Sequence, residues 1–333
     1  MNPNAVLSPG TPENEKAPTV SHGKPISTQM DFLRRMLSQP KAVIGLVIMA
    51  IFILMALFAP LIAPNDPNKY VGLPHQPPSA EHWLGTTGQG QDVFSQLVWG
   101  SRISLLIGFS VGILSTILGL VIGMISGYMP GVVDGVLNMF TNVFLLIPGL
   151  PLLIALASFL PQGMVTVMLV LTFTGWSWPA RVFRSQVLSL REKDFVSASV
   201  VGGEGVPRIV FSEILPNMLS LVMSSLFGAV IYTIGADAGL AFLGFENVNI
   251  VSWGTMLYWA SNSSALLQEA WWTFLPPGLC IALVSFATTM LIYAMDEVTN
   301  PRLRSEKEIT RVLKKYKIGS SRSTPVIKET LTH

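Results

Sequence analysis

Apolar residues in this chain come in long blocks separated by shorter polar stretches, and that spacing predicts an all-α bundle of membrane-crossing helices. An α-helix rises 1.5 Å per residue, so about 20 mainly apolar residues cover a hydrocarbon core of ~30 Å. Six blocks are candidates: 42–61, 103–125, 136–159, 164–178, 219–240 and 272–293. The fourth is the shortest, and Gly175, Trp176, Ser177, Trp178 and Pro179 crowd its end, where aromatic residues also suit a membrane interface. Six crossings put both termini on one side.

Basic residues indicate which side. Nineteen of the 21 lysines and arginines lie in the first 41 residues, between the fourth and fifth blocks, or after the sixth; only Lys69 and Arg102 fall opposite. Positive residues are retained in the cytoplasm, so both termini are expected there. The resulting division is a cytoplasmic tail over 1–40, a first transmembrane helix over 41–63 and an extracytoplasmic loop over 64–102. A five-helix core over 103–296 and a basic cytoplasmic tail over 297–333 complete it. The first 38 residues are rich in Pro, Ser and Asn and hold no apolar run. They are expected to be an uncleaved, poorly ordered tail.

Composition agrees. Only 12% of the residues are charged, against roughly 25% in soluble domains, and the mean hydropathy is +0.53. Cys280 is the single cysteine, so an internal disulfide is excluded. The four histidines lie far apart and form no zinc-hydrolase motif, so no metal site is expected. No phosphate-binding GxxxxGK[ST] occurs, so any energy from nucleotide must come from a separate subunit. No cofactor and no nucleic-acid partner are expected of this chain; membrane lipid is.

Some features inside the blocks bear on packing and function. Gly108, Gly112, Gly119, Gly123 and Gly127 recur at four-residue spacing within two runs, which puts small residues on one helix face where another backbone can approach. Asp237 is the one acidic or basic residue well inside a block. It serves either a structural pairing with a neighbouring helix or a solute pathway. Pro148-Gly149-Leu150-Pro151 and Pro276-Pro277-Gly278 interrupt two blocks, as helices that kink around a cavity do. An intramembrane enzyme would need paired acids or a Ser/Lys or His cluster at depth, and a channel or ion-coupled carrier would need several polar spans.

The polar segment 191–217 is the longest between crossings on the cytoplasmic face and suits contact with another protein. It resembles the signature of binding-protein-dependent ABC importer permeases: EAA, three residues, Gly, nine residues, then I-x-L-P. Ser197-Ala198-Ser199 stands at EAA, just after Asp194, with Gly203 at the glycine and Leu215-Pro216 at the close. Ser197 replaces the family's glutamate, and Glu213 its isoleucine.

Further stretches resemble one branch, the C-type subunit of dipeptide and oligopeptide permeases. Residues 82–93, HWLGTTGQGQDV, parallel HPLGTDxxGRDV, with Thr87 and Gln91 at the usual aspartate and arginine. Gly127-Tyr128, Asp134 and Pro148, then Leu240 to Gly244 with Ser252-Trp253-Gly254, then Asn300 to Arg304 follow in the branch's order.

The resemblance implies a type I ABC importer permease fold in a bacterial or archaeal inner membrane. It also implies a homologous second permease, two ATPase subunits that bind ATP and Mg, and a solute-binding protein outside. Residues Asp194 to Asn217 would then dock on the ATPase, while Asp237 and Pro148 are candidates for the pathway or its gate. Trp83, Asp92 and Trp253, in the loops facing outward, are candidates to meet the binding protein. Small peptides are the expected solute, with oligosaccharides or nickel as the alternatives within the same branch.

Overall fold

The computed structural model describes residues 36–299. The expected tails, apart from residues 36–40 and 297–299, and the Asn300 to Arg304 motif lie outside those residues. Among the described residues the chain is helical, with two isolated β-bridges, Tyr70 to Gln91 and Thr86 to Asp92, as its only extended pairing.

Helix α1, Pro40–Leu57, opens on a proline at its first position, where the missing N–H has no intrahelical role. Helix α2, Val93–Tyr128, has 36 residues and is therefore about 54 Å long. It forms the spine of the molecule. Its N-cap is Asp92, whose Oδ2 accepts from the Ser95 backbone N–H at 2.9 Å and from its Oγ at 2.6 Å. Helices α3, Val132–Leu146, and α4, Gly149–Phe159, meet at 90°. Then come α5, Met164–Gly175; α6, Ser177–Arg191; α7, Asp194–Val201; and α8, Leu219–Phe242. Helices α9, Trp253–Asn262, and α10, Leu275–Thr299, complete the described chain.

The glycine face of α2 meets two different helices. Gly108 and Gly112 lie against Ile234 and Val230 of α8, and Gly119, Gly123 and Gly127 against Pro179 to Val187 of α6. A methyl group on Gly112 would stand 2.6 Å from Val230, and one on Gly123 2.7 Å from the Ala180 carbonyl. Both distances are shorter than real Cβ contacts, so only hydrogen lets these backbones approach.

Length and apolarity qualify α1, α2, α8 and the stretch 271–297 as membrane crossings, with a fifth if the bent α3–α4 pair is one. The block expected over 164–178 falls on α5, whose 12 residues cover about 18 Å, and α6 follows after the single residue Trp176, itself in helical conformation. The two proline interruptions differ. Pro148 separates α3 from α4, whereas Pro276 and Pro277 occupy the first turn of α10, where N–H groups are unpaired anyway, and that helix runs on unbroken.

Candidate functional site

The segment after α6 folds onto the C-terminal end of α2. Val196 of α7 is buried with Ile209, Val210, Ile214 and Met218 against Met124, Phe183 and Val187. Residues Ile209–Ile214 form a π-helical turn. Its wider winding brings Ile209 and Ile214, five residues apart, onto the same buried side.

Helix α7 ends in a tight glycine turn. The Gly203 N–H donates to Val200 O at 3.0 Å and the Glu204 N–H to Ser199 O at 3.1 Å. Gly203 has φ +79°, completing a Schellman stop. No other atom lies within 4 Å of where its Cβ would be, so a side chain there strains the backbone without a clash. After the turn Glu204 pairs with Arg208 at 3.4 Å.

The opposite side of this segment is uncovered. Ser197 and Ala198 are exposed beside Phe195, Val200 and Val201, and Phe211 of the π-turn is 60% exposed. Asp194 and Pro216 are exposed, while Ser199 and Leu215 are half-buried; the Ser199 hydroxyl donates to Phe195 O at 3.2 Å. Phe195, Val201 and Phe211 are the surface residues that sequence reasoning passed over. Their signal was apolar side chains standing in a polar loop, and in the folded chain all three are exposed.

Arg184 of α6 braces this end. Its Nε and Nη2 each donate to Asp134 of α3 at 2.7 Å, and Ser126 of α2 donates to the same carboxylate at 2.6 Å. The hydrogen bond to Asp134 holds the Arg184 guanidinium above its usual pKa.

At the other end of α2, residues 63–92 form a compact polar knot. His82 Nδ1 lies 3.3 Å from Asp92 Oδ1, Gln96 donates to Gln91 Oε1 at 2.7 Å, and the Trp272 indole donates to Thr86 O at 3.2 Å. Trp253 is fully buried: its indole donates to Leu97 O at 3.1 Å and its backbone N–H to Ser104 Oγ at 3.0 Å. Asp92 is 1% exposed and caps α2. Of the three residues expected to face a binding protein, Asp92 and Trp253 therefore sit in the framework, because capping and indole bonding draw them inside. Trp83, its ring tilted against Phe94 with centroids 5.0 Å apart, alone of the three reaches the surface, 64% exposed.

Asp237, on the last turns of α8, is also buried, and it faces the carboxyl of Glu246. Its Oδ1 finds no hydrogen-bond donor among the described residues. Burial raises the Glu246 carboxyl above the usual range, while hydrogen bonds with Asp237 and Ser252 work against that rise. Pro148 is elsewhere, at the α3–α4 elbow. The elbow faces a cavity of about 630 Å³, to which Ile147 and Gly149 contribute and Asp237 does not.

Comparison with known proteins identifies this arrangement. Residues 119–305 match the family described as binding-protein-dependent transport system inner membrane component. The chain belongs to that family. Residues 28–78 of this permease also match the N-terminal TM domain of oligopeptide transport permease C. It is 32% identical to the oligopeptide transport system permease protein OppC of Bacillus subtilis over 84% of its own length and 92% of that protein. It is 33% identical to the dipeptide transport system permease protein DppC of Alkalihalophilus pseudofirmus, over 89% of its length and 97% of that protein. The permease is thus a multi-pass membrane subunit of an uptake system.

Proposed function

We propose that this permease carries peptides inward as the C-type subunit of an ABC importer, with the α7 surface as the place where a partner ATPase pushes. The uncovered apolar side of α7 and the π-turn carries the reading. Phe195, Val201 and Phe211 are exposed while Val196, Ile209 and Ile214 fix the same segment to α2 and α6. A patch of that kind, anchored beneath and unmet above, fits a protein groove.

In this reading Ser197, Ala198 and Gly203 pack in the ATPase groove, both chain termini are cytoplasmic, and two ATPases hold the ATP and Mg. A second, homologous permease and an external binding protein complete the assembly. Nucleotide binding favours one of two bundle arrangements, and the α7 segment transmits that preference. Peptide as the solute is supported by the names of the relatives, which span most of this chain.

Site-directed cross-linking tests it. A cysteine at Ser197, in the assembled transporter, is expected to cross-link to the ATPase subunit, and bound ATP is expected to change the yield. Labelling of the same cysteine only from outside the cell, with no cross-link, overturns the assignment.

A further inference from the structure

The cavity at the elbow, 630 Å³, is walled by the α3–α4 break, the α5–α6 junction and the middle of α8. Its volume falls in the range of small-molecule sites, ~300–1,000 Å³. None of its lining residues is charged. The hydroxyls of Ser177, Ser225 and Tyr232 line it without a hydrogen-bond partner among the described residues, whereas those of Ser115 and Thr174 turn back to their own helix and that of Ser224 donates to Asp296, outside the lining, at 3.0 Å. Tyr232 reaches across the cavity, its Oη 3.6 Å from where a Cβ on Gly149 would stand. Gly228, one turn below, leaves open space where a side chain would be.

From these features we infer that the elbow cavity is this subunit's share of the solute pathway, and that Tyr232 facing Gly149 sets its width. The inference rests on the peptide-importer reading and adds to it the wall, its chemistry and its narrowest point. A pathway must hold its cargo loosely enough to release it. A fixed charge would trap peptides of opposite charge and repel others, while free hydroxyls serve a backbone of amides whatever the side chains. The break at Pro148 is what opens the space, since non-helical backbone at membrane depth is tolerated where it lines a cavity.

The test uses the complete transporter with its ATPases and binding protein, and a series from di- to penta-alanine. Tyr232→Ala is expected to raise uptake of the longer members relative to dialanine by roughly tenfold, and Gly149→Val to lower it by as much, the scale of one steric contact in a pocket. Tyr232→Phe separates the hydroxyl from the ring. ATPase stimulation by the binding protein should remain in all three, which distinguishes this result from failure at α7. A cysteine at Ser225 should react with a water-soluble thiol reagent and be protected by transported peptide. An unchanged length profile, or reaction of that cysteine with lipid-soluble reagents alone, overturns the inference. Should the wild-type importer take up no peptide but an oligosaccharide series, the peptide reading fails, and the same variants measured on that series still decide the width.

Discussion

The two ends of α2 are built to opposite specifications. At the N-terminal end, Asp92, His82, Gln91, Gln96 and the indoles of Trp253 and Trp272 use up their hydrogen-bonding groups on one another and on the backbone. At the C-terminal end, α7 holds on through Val196 and a few residues of the π-turn, stops at a glycine with positive φ, and leaves Phe195, Val201 and Phe211 uncovered. A densely hydrogen-bonded polar knot resists change, whereas a segment held along one side can be moved by whatever covers the other. The contrast separates residues that maintain the bundle from residues that work on it.

Substitutions at the two ends should therefore fail in different ways. The largest effect is expected at the grip between the ends: Gly123→Leu drives a side chain into the Ala180 carbonyl and Phe183, and assembled protein should vanish from the membrane on size-exclusion analysis. Trp253→Ala comes next, because it empties a fully buried site and removes the indole hydrogen bond to Leu97 O. A loss of about 3–5 kcal/mol is expected, seen as a large drop in the thermal midpoint in detergent. Asp92→Ala removes the cap of α2, for about 1–2 kcal/mol on the same assay.

Gly203→Ala places a Cβ at φ +79°, a strain of about 1–2 kcal/mol. Protein level should hold while uptake and ATPase coupling fall together, and bulkier residues should abolish uptake. Unaltered uptake would remove α7 from the coupling path. Smallest is Trp83→Ala, exposed and beside the Phe94 ring, with thermal stability expected to shift by under about 0.5 kcal/mol. Weaker stimulation by the binding protein would then make Trp83 a contact.

Much of this was legible in the sequence because lipid imposes one rule over whole segments. Apolar block length located α1, α2, α8 and α10, and the position of Gly203 within its motif located the turn. The glycine spacing on α2 announced close packing, though not that the face divides between α8 and α6, since the pattern records the approach and not the partner. Block length placed the fourth stretch on α5, which at 12 residues is too short to qualify by itself, with α6 following after Trp176. Motif membership misjudged Asp92 and Trp253, because a polar residue in a loop looks the same whether it points to solvent or caps a helix. The elbow cavity was invisible: Ser177, Ser225 and Tyr232 are scattered in sequence, and only the right-angle break at Pro148 and the mid-depth of α8 bring them to one space.

The length of α2 has a mechanical consequence. At about 54 Å it is a lever nearly twice as long as the ~30 Å hydrocarbon layer is thick, clamped by glycine contacts to α8 on one half and α6 on the other. Rotating such a rod by about 5° displaces one tip by about 5 Å relative to the other, so a small push beside Tyr128 arrives at the far rim as a shift the size of a side chain.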